Sequence, residues 1–353
     1  MKTITLTSLI IFISILVTSN DIVFAGRFDK AGTAGATQLL IPVGARDLAL
    51  GGSSIATTSG VDAIFWNPAG LPRSEYGATA LFSHMSYLAD IGVEYVAIAT
   101  NVGDFGSIGF SLKSINIGEI KETTEESPDG TGAIITPTFV TVGVTYAKNL
   151  ADNISVGITG NLISEQMDRV SQSGIAFNAG VQYHGLANVP GLSLGIAVKN
   201  IGPQLKYGGP GLLRPGSLTN ENRGPSLYSV NAAGFELPST IEMGLSYYSK
   251  FSDQNSLTVS STFQNNNFFA DEYKLGAEYN FENTLWLRGG YDLSQDGTLG
   301  SLPSNDKTAY IYGPTFGFGV NQELGEMNVS LDYAYRSVEF FDANHMFTVR
   351  LGF

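Results

Sequence analysis

The chain has 353 residues, 43% of them hydrophobic and only 14% charged, well under the roughly 25% charged of an average soluble domain. Its formal net charge is −13 and its 19 Lys and Arg are scattered, which excludes a basic nucleic-acid surface; no nucleic acid is expected as a partner. The absence of Cys excludes a disulfide framework and a thiolate metal site.

Residues 1–25 read as a secretory signal peptide. Lys2 supplies the positive start, Ile4 to Val17 is mostly apolar, and Val23-Phe24-Ala25 carries small residues at −3 and −1. Cleavage is placed before Gly26. The apolar run is short for a membrane helix of about 20 residues, and no later run approaches that length. The mature chain is therefore expected to have no transmembrane helix.

Residues 26–76 are small, Gly-rich and not alternating. Arg46–Leu50 suits a short helical turn that Gly51-Gly52 would end. Asn67-Pro68 reads as a turn, because the proline pushes Asn67 out of the helical region. Such a segment must pack inside something else.

From Gly77 onward the pattern changes to a period of two, the mark of strands with two unlike faces. Clear segments are Ile108–Leu112, Val140–Tyr146, Ile154–Leu162, Ile175–Tyr183, Leu192–Val198, Ile241–Tyr247, Tyr273–Phe281 and Met327–Tyr335. Weaker ones fit at 78–87, 92–101, 256–265, 284–293 and 309–321. The last is 343–353, where Phe347, Val349, Leu351 and Phe353 alternate with Thr348, Arg350 and Gly352. The total is fourteen. An even count of roughly ten-residue spans points to an all-β fold, a transmembrane antiparallel β-barrel, with residues 77–353 as the barrel and 26–76 as an N-terminal plug in its lumen. The longest gaps, 115–136, 202–238 and 294–308, are all odd-numbered, and the even ones are short Asn/Asp/Gly turns, as expected for extracellular loops and periplasmic turns. A soluble sandwich or propeller would also alternate, but the signal peptide, one persistently apolar face and the lack of a 40–50-residue repeat count against it.

Gly109, Gly143, Gly157, Gly180, Gly195, Gly244 and Gly276 fall on the inward face. A barrel of fourteen strands is too wide to be filled by its own side chains, so these glycines leave room for the plug. Inward charges (Lys113, Lys199, Glu242, Lys274, Glu278, Arg288, Asp332, Arg336, Arg350) have mixed sign and are expected to pair with one another, with the plug or with water.

Gly44-Ala45-Arg46, then Gly51-Gly52, then Trp66-Asn67-Pro68-Ala69-Gly70-Leu71 resembles the PorV/PorQ family of outer-membrane proteins. That family is similar in fold to the FadL-type long-chain fatty-acid transporters, fourteen-stranded barrels with an N-terminal plug. The resemblance implies the bacterial cell outer membrane and a role in type IX protein secretion, in which secreted cargo is accepted through its C-terminal domain and passed to a surface attachment complex. The alternative is a FadL-like channel or transporter for hydrophobic small molecules.

No enzyme is expected. There is no nucleophile elbow, phosphate loop or His-Glu-x-x-His site. His84 and His345 would lie on adjoining strands of a closed barrel, a pair read as structural. The acidic loop Glu119–Gly130 matches no calcium-loop spacing and reads as solvated surface. No metal or cofactor is expected. The 202–238 loop, with Leu205, Tyr207, Leu212, Leu213, Leu227 and Tyr228, is more apolar than a solvated loop and is the candidate partner-binding surface. Phe347, Val349, Leu351 and Phe353 are expected to signal to the barrel-assembly machinery, and the outward faces to meet outer-membrane lipid.

Overall fold

The computed structural model describes residues 30, 32–216, 226–294 and 311–353. The signal peptide and its cleavage point lie outside the described residues, as do parts of the seventh and eleventh loops.

Fourteen strands form one closed antiparallel barrel: β1 (Ala78–Ser86), β2 (Gly92–Asn101), β3 (Ser107–Asn116), β4 (Thr138–Ala151), β5 (Ile154–Met167), β6 (Val170–His184), β7 (Leu192–Ile201), β8 (Thr240–Lys250), β9 (Asn255–Asn266), β10 (Glu272–Phe281), β11 (Leu285–Ser294), β12 (Tyr312–Leu324), β13 (Met327–Val338) and β14 (Asn344–Gly352). β14 closes on β1 with Thr79 opposite Gly352 and Ser83 opposite Thr348. The outward side chains include Phe82, Ile98, Phe110, Leu162, Phe316, Phe318, Leu331 and Phe347, all exposed. So continuous an apolar belt is unstable in water and suits acyl chains. Among the described residues no helix is long and apolar enough to cross a membrane; the crossing is made by strands.

The strand boundaries differ from the expectation in two places. β4, β5 and β6 run for 14, 14 and 15 residues, beyond their alternating parts. The outer ends of β5 and β6 (Ser164-Glu165-Gln166, Ser171-Gln172-Ser173) are polar on both faces, so no apolar period marks them although the ladder continues, while β4 runs on past Tyr146 through Lys148-Asn149 at its inner end. β12 begins at Tyr312, and its register with β13 shifts between Tyr312 and Thr315. Pro314 lies within that shift and has no N–H to give the ladder.

Residues 36–73 fill the lumen with short helical pieces: turns at Thr37–Leu40, Gly60–Asp62 and Pro68–Arg73, helix α1 (Ala45–Ala49) and helix α2 (Ala63–Trp66). The chain then enters β1 at the end of the barrel where Phe353 also lies, with Phe353 N–H donating to Ala78 O at 2.9 Å. The long connections are at the opposite, outer end. α1 stops where Gly51 and Gly52 take φ of 64° and 74°, a region closed to most side chains. Asn67 is extended (φ −155°, ψ 105°), as its proline neighbour requires. Three apolar clusters bind the plug to the wall: Val43, Val61, Ile64 and Leu71 with Leu81, Tyr95 and Ala97; Ala45, Leu48 and Ala49 with Met85, Val93, Ala334 and Met346; and Ala36 and Leu39 with Ile163 and Ala176.

Inward glycines make room for this plug. A Cβ on Gly157 would lie 2.4 Å from the Pro68 carbonyl, on Gly195 2.5 Å from Ile55 O, and on Gly290 2.3 Å from the Leu50 carbonyl carbon. Gly109, Gly180, Gly244 and Gly276 are closed in the same way by Ile64, Asn67, Ile55 and Ser53. Gly143 differs: it faces Ser111 and Asn161 of the neighbouring strands.

Candidate functional site

Every residue of the plug motif is turned inward. Gly44 caps α1 with φ 82°, and Ala45 N–H donates to Thr348 Oγ1 of β14 at 2.9 Å. Arg46 forks onto Glu278 of β10 through Nε (3.1 Å) and Nη2 (2.9 Å). From there a chain of buried ion pairs crosses the wall: Glu278 to Arg288 (2.6 Å), Arg288 to Asp332 (2.5 Å), Asp332 to Arg350 (3.2 Å), and Arg350 back to Asp62 of the plug (2.8 Å). In a medium of low dielectric such a chain is stable only while every member keeps its partners. Burial pushes the Asp47 carboxyl up to about 6, with Asp62 adding to the rise and Arg46 and Ser54 opposing it. Burial works to weaken the proton on Arg46, but Glu278 and Asp47 outweigh it and hold the guanidinium charged.

The second half of the motif is a packed knot. Gly52 lies under the Trp66 ring, where a Cβ would come within 2.9 Å, and Trp66 Nε1–H donates to Val43 O at 2.9 Å. Gly51 faces the Tyr291 backbone. Asn67 Nδ2–H donates to Ile55 O (2.9 Å) and its Oδ1 accepts from Ala69 N–H (3.2 Å). Pro68, Ala69, Gly70 and Leu71 are buried; Gly70 approaches Thr58 O so closely that a Cβ would lie at 2.1 Å. The motif is thus the joint between plug and wall.

Above this joint, at the outer end, a cavity of about 530 Å³ opens. Its floor includes Gly51, Gly52 and Trp66. One wall is apolar, built from Ile41, Tyr87, Ile91, Ile115, Ile117 and Phe139. The other is charged: Lys199 pairs with Glu242 (2.9 Å) and Lys274 with Glu272 (3.0 Å). Arg336 stacks on Tyr312, 3.8 Å from the ring centroid, and donates twice to Asn344 Oδ1. Of these charges the alternation places Lys199, Glu242, Lys274 and Arg336 on the inward face; it reveals neither Glu272 nor the cavity. Tyr87, Ile91 and Ile117 come from loops, where no alternation reveals which side chains turn inward.

The candidate partner loop divides in two. Leu205 is not on its surface: it is 1% exposed and packs with Ala36, Leu39, Ile163, Ala176 and Leu237. The reason is steric, since inward-facing Gly174 leaves a space that the Leu205 side chain fills. Tyr207 is half-buried, its hydroxyl donating to Glu165 at 2.6 Å. Leu212 and Leu213 are half-buried, while Leu227 and Tyr228 are exposed on the hairpin Leu213–Gly216 with Ser226–Ser229. On β14, Phe347 and Val349 point outward, Leu351 is half-buried and Phe353 is exposed. His84 and His345 are offset rather than paired: His84 sits opposite Phe347 and bonds Glu94, and His345 sits opposite Ser86 and bonds the Tyr333 hydroxyl.

Several solved structures share the fold. The Pseudomonas putida toluene transporter TodX has a TM-score of 0.55 at 13% identity, covering 88% of this chain and 97% of its own. The CymD monoaromatic hydrocarbon channel gives 0.53 at 14% over 89% and 98%. A Pseudomonas aeruginosa FadL homologue gives 0.52 at 11% over 88% and 98%. No curated protein sequence matches the chain. The family pattern described as type IX secretion system protein PorV matches residues 26–224, more than half of the chain.

Proposed function

The chain belongs to the PorV family of type IX secretion system proteins, and from that premise we propose that it is a non-catalytic docking barrel in the bacterial cell outer membrane. In this reading it receives a secreted protein at its outer end, through the cargo's C-terminal domain, and presents it to a surface attachment complex. One observation carries the reading: the plug touches every strand of the wall, and the outer cavity and the exposed hairpin remain accessible. The plug reaches β1 and β2 through Val61 and Ile64, β3 to β8 through Ile64, Pro68, Asn67 and Ile55, β9 through Ser53, and β10 to β14 through Arg46, Leu50, Ala49 and Ala45. Leu227, Tyr228 and Val230 are exposed on the long connection after β7, and grouped exposed apolar side chains favour a protein partner.

Replacing residues 213–229 with a short Gly-Ser linker tests this. The variant keeps Leu205 and Tyr207, so it is expected to insert and to remain heat-modifiable, with loss of cargo attachment at the surface. Normal surface display in that variant would defeat the proposal.

A second reading, a channel for hydrophobic small molecules as in the neighbours of like fold, is supported by the apolar cavity wall. The ion-paired plug beneath the cavity weighs against it. Uptake of a hydrophobic substrate that falls on deletion of the protein, with secretion intact, would favour the channel.

A further inference from the structure

Lys113 is a buried lysine with no carboxylate partner among the described residues. It lies on β3, is 5% exposed, and its Nζ donates to Ile41 O of the plug. It also sits 4.8 Å from the centroid of Phe65, and Lys199 approaches the same ring at 5.5 Å. Lys199 has Glu242 at 2.9 Å; no carboxylate among the described residues pairs with Lys113. An ammonium has three donors, and a buried charge left without an opposite charge is costly. Arg46, Arg288, Arg350, Lys199 and Lys274 have acidic partners, Arg336 has its stacked ring and an amide oxygen, and half-buried Arg73 of the plug bonds Ser155 Oγ.

Beside Lys113 is a second, small cavity of about 30 Å³, lined by Lys113, Thr141, Asn161, Asn178 and Asn200 with Phe65 among its apolar members. None of its lining residues is acidic, in a chain whose net charge is −13. Thr141 is 7% exposed, and its Oγ1 is buried with no hydrogen-bond partner. A single water needs about 10–15 Å³, so the space suits one small guest. The polar groups around it are the Lys113 amine, the hydroxyls of Thr141, Tyr95 and Ser111, and the carboxamides of Asn161, Asn178 and Asn200. We propose that this cavity is a binding site for one halide-sized monovalent anion, seated between Lys113 and Thr141 at the joint of plug and wall. The anion holds Lys113 in its charged form, takes the orphaned Thr141 hydroxyl, and so couples plug docking to the anion present.

The test uses the full mature protein in detergent. Crystals grown in sodium bromide are expected to give an anomalous peak between Lys113 Nζ and Thr141 Oγ1, lost in Lys113→Met and weakened in Thr141→Val. In solution, amide exchange at Ile64 and Phe65 is expected to be about fivefold slower in sodium chloride than in sodium gluconate of equal ionic strength, because gluconate is too large for the cavity. That difference should vanish in Lys113→Met and shrink in Thr141→Val; the threonine variant carries the test if the lysine variant does not fold. No bromide peak overturns the proposal. So does a peak with equal exchange in both salts, which marks an adventitious ion only, and so does a chloride effect that survives in both variants.

Discussion

Gly157 and Gly160 lie three residues apart on β5 and point to opposite faces. Gly157 meets the plug: a Cβ there would sit 2.4 Å from the carbonyl carbon and oxygen of Pro68 and 2.8 Å from Ala69 N, all backbone atoms. Gly160 faces outward, and its Cβ would lie 3.7 Å from the Phe177 ring, an ordinary contact. Alanine at either position loses the same freedom in the unfolded chain, a gain of about 0.4–1 kcal/mol. Gly160→Ala should therefore be neutral or slightly stabilising. Gly157→Ala must move Pro68 by about 1 Å to reach a normal carbon contact. Pro68 cannot easily follow, because Asn67 is tied to Ile55 O and Val181 O. Overpacking of this kind costs about 1–3 kcal/mol, which raises the undocked-plug population roughly 5- to 150-fold. Both variants should insert and show normal heat-modifiability. Only Gly157→Ala should show faster protease cleavage within 36–73 and new conductance in planar bilayers. Equal behaviour of the two variants would refute the idea that wall glycines seat the plug.

Arg46→Met should destabilise the plug by up to about 3 kcal/mol, less than for an isolated buried pair because Arg288 still neutralises Glu278; unchanged plug exchange would count against the ion chain as a latch. Asp47 has a folded pKa of about 6 against an ordinary 3.8, so the stability it contributes is full below about pH 4 and is lost as pH rises through 6, by about 3 kcal/mol. Asp47→Asn should flatten that slope in thermal melts between pH 4 and 7, and a slope unaltered in the variant would assign it to other groups. Removing Phe353 deletes the terminal pairing with Ala78 and one aromatic of the proposed assembly signal. Less folded protein should reach the outer membrane, and full heat-modifiable insertion of that truncation would exclude the role.

The strand count and the sidedness of the barrel were legible because lipid on one side and a polar, plug-filled lumen on the other force a period of two on every crossing. The inward glycines were visible for the same reason. Where both faces are polar, at the outer ends of β5 and β6, the period vanishes and an alternation-based boundary falls too soon. Leu205 shows a second limit. An apolar residue in a long loop reads as exposed unless the space left by Gly174, thirty-one positions earlier, is known to lie beneath it.

By itself the sequence determined the all-β barrel, the plug and its family motif, because these follow from periodicity and local backbone chemistry. Only the tertiary structure decided what the motif does. Arg46, Glu278, Arg288, Asp332, Arg350 and Asp62 are separated by up to 304 positions (350 − 46), yet barrel closure brings them into one chain of ion pairs. The outer cavity and the uncompensated Lys113 arise in the same way, from loops and strand faces that meet only when the last strand closes on the first.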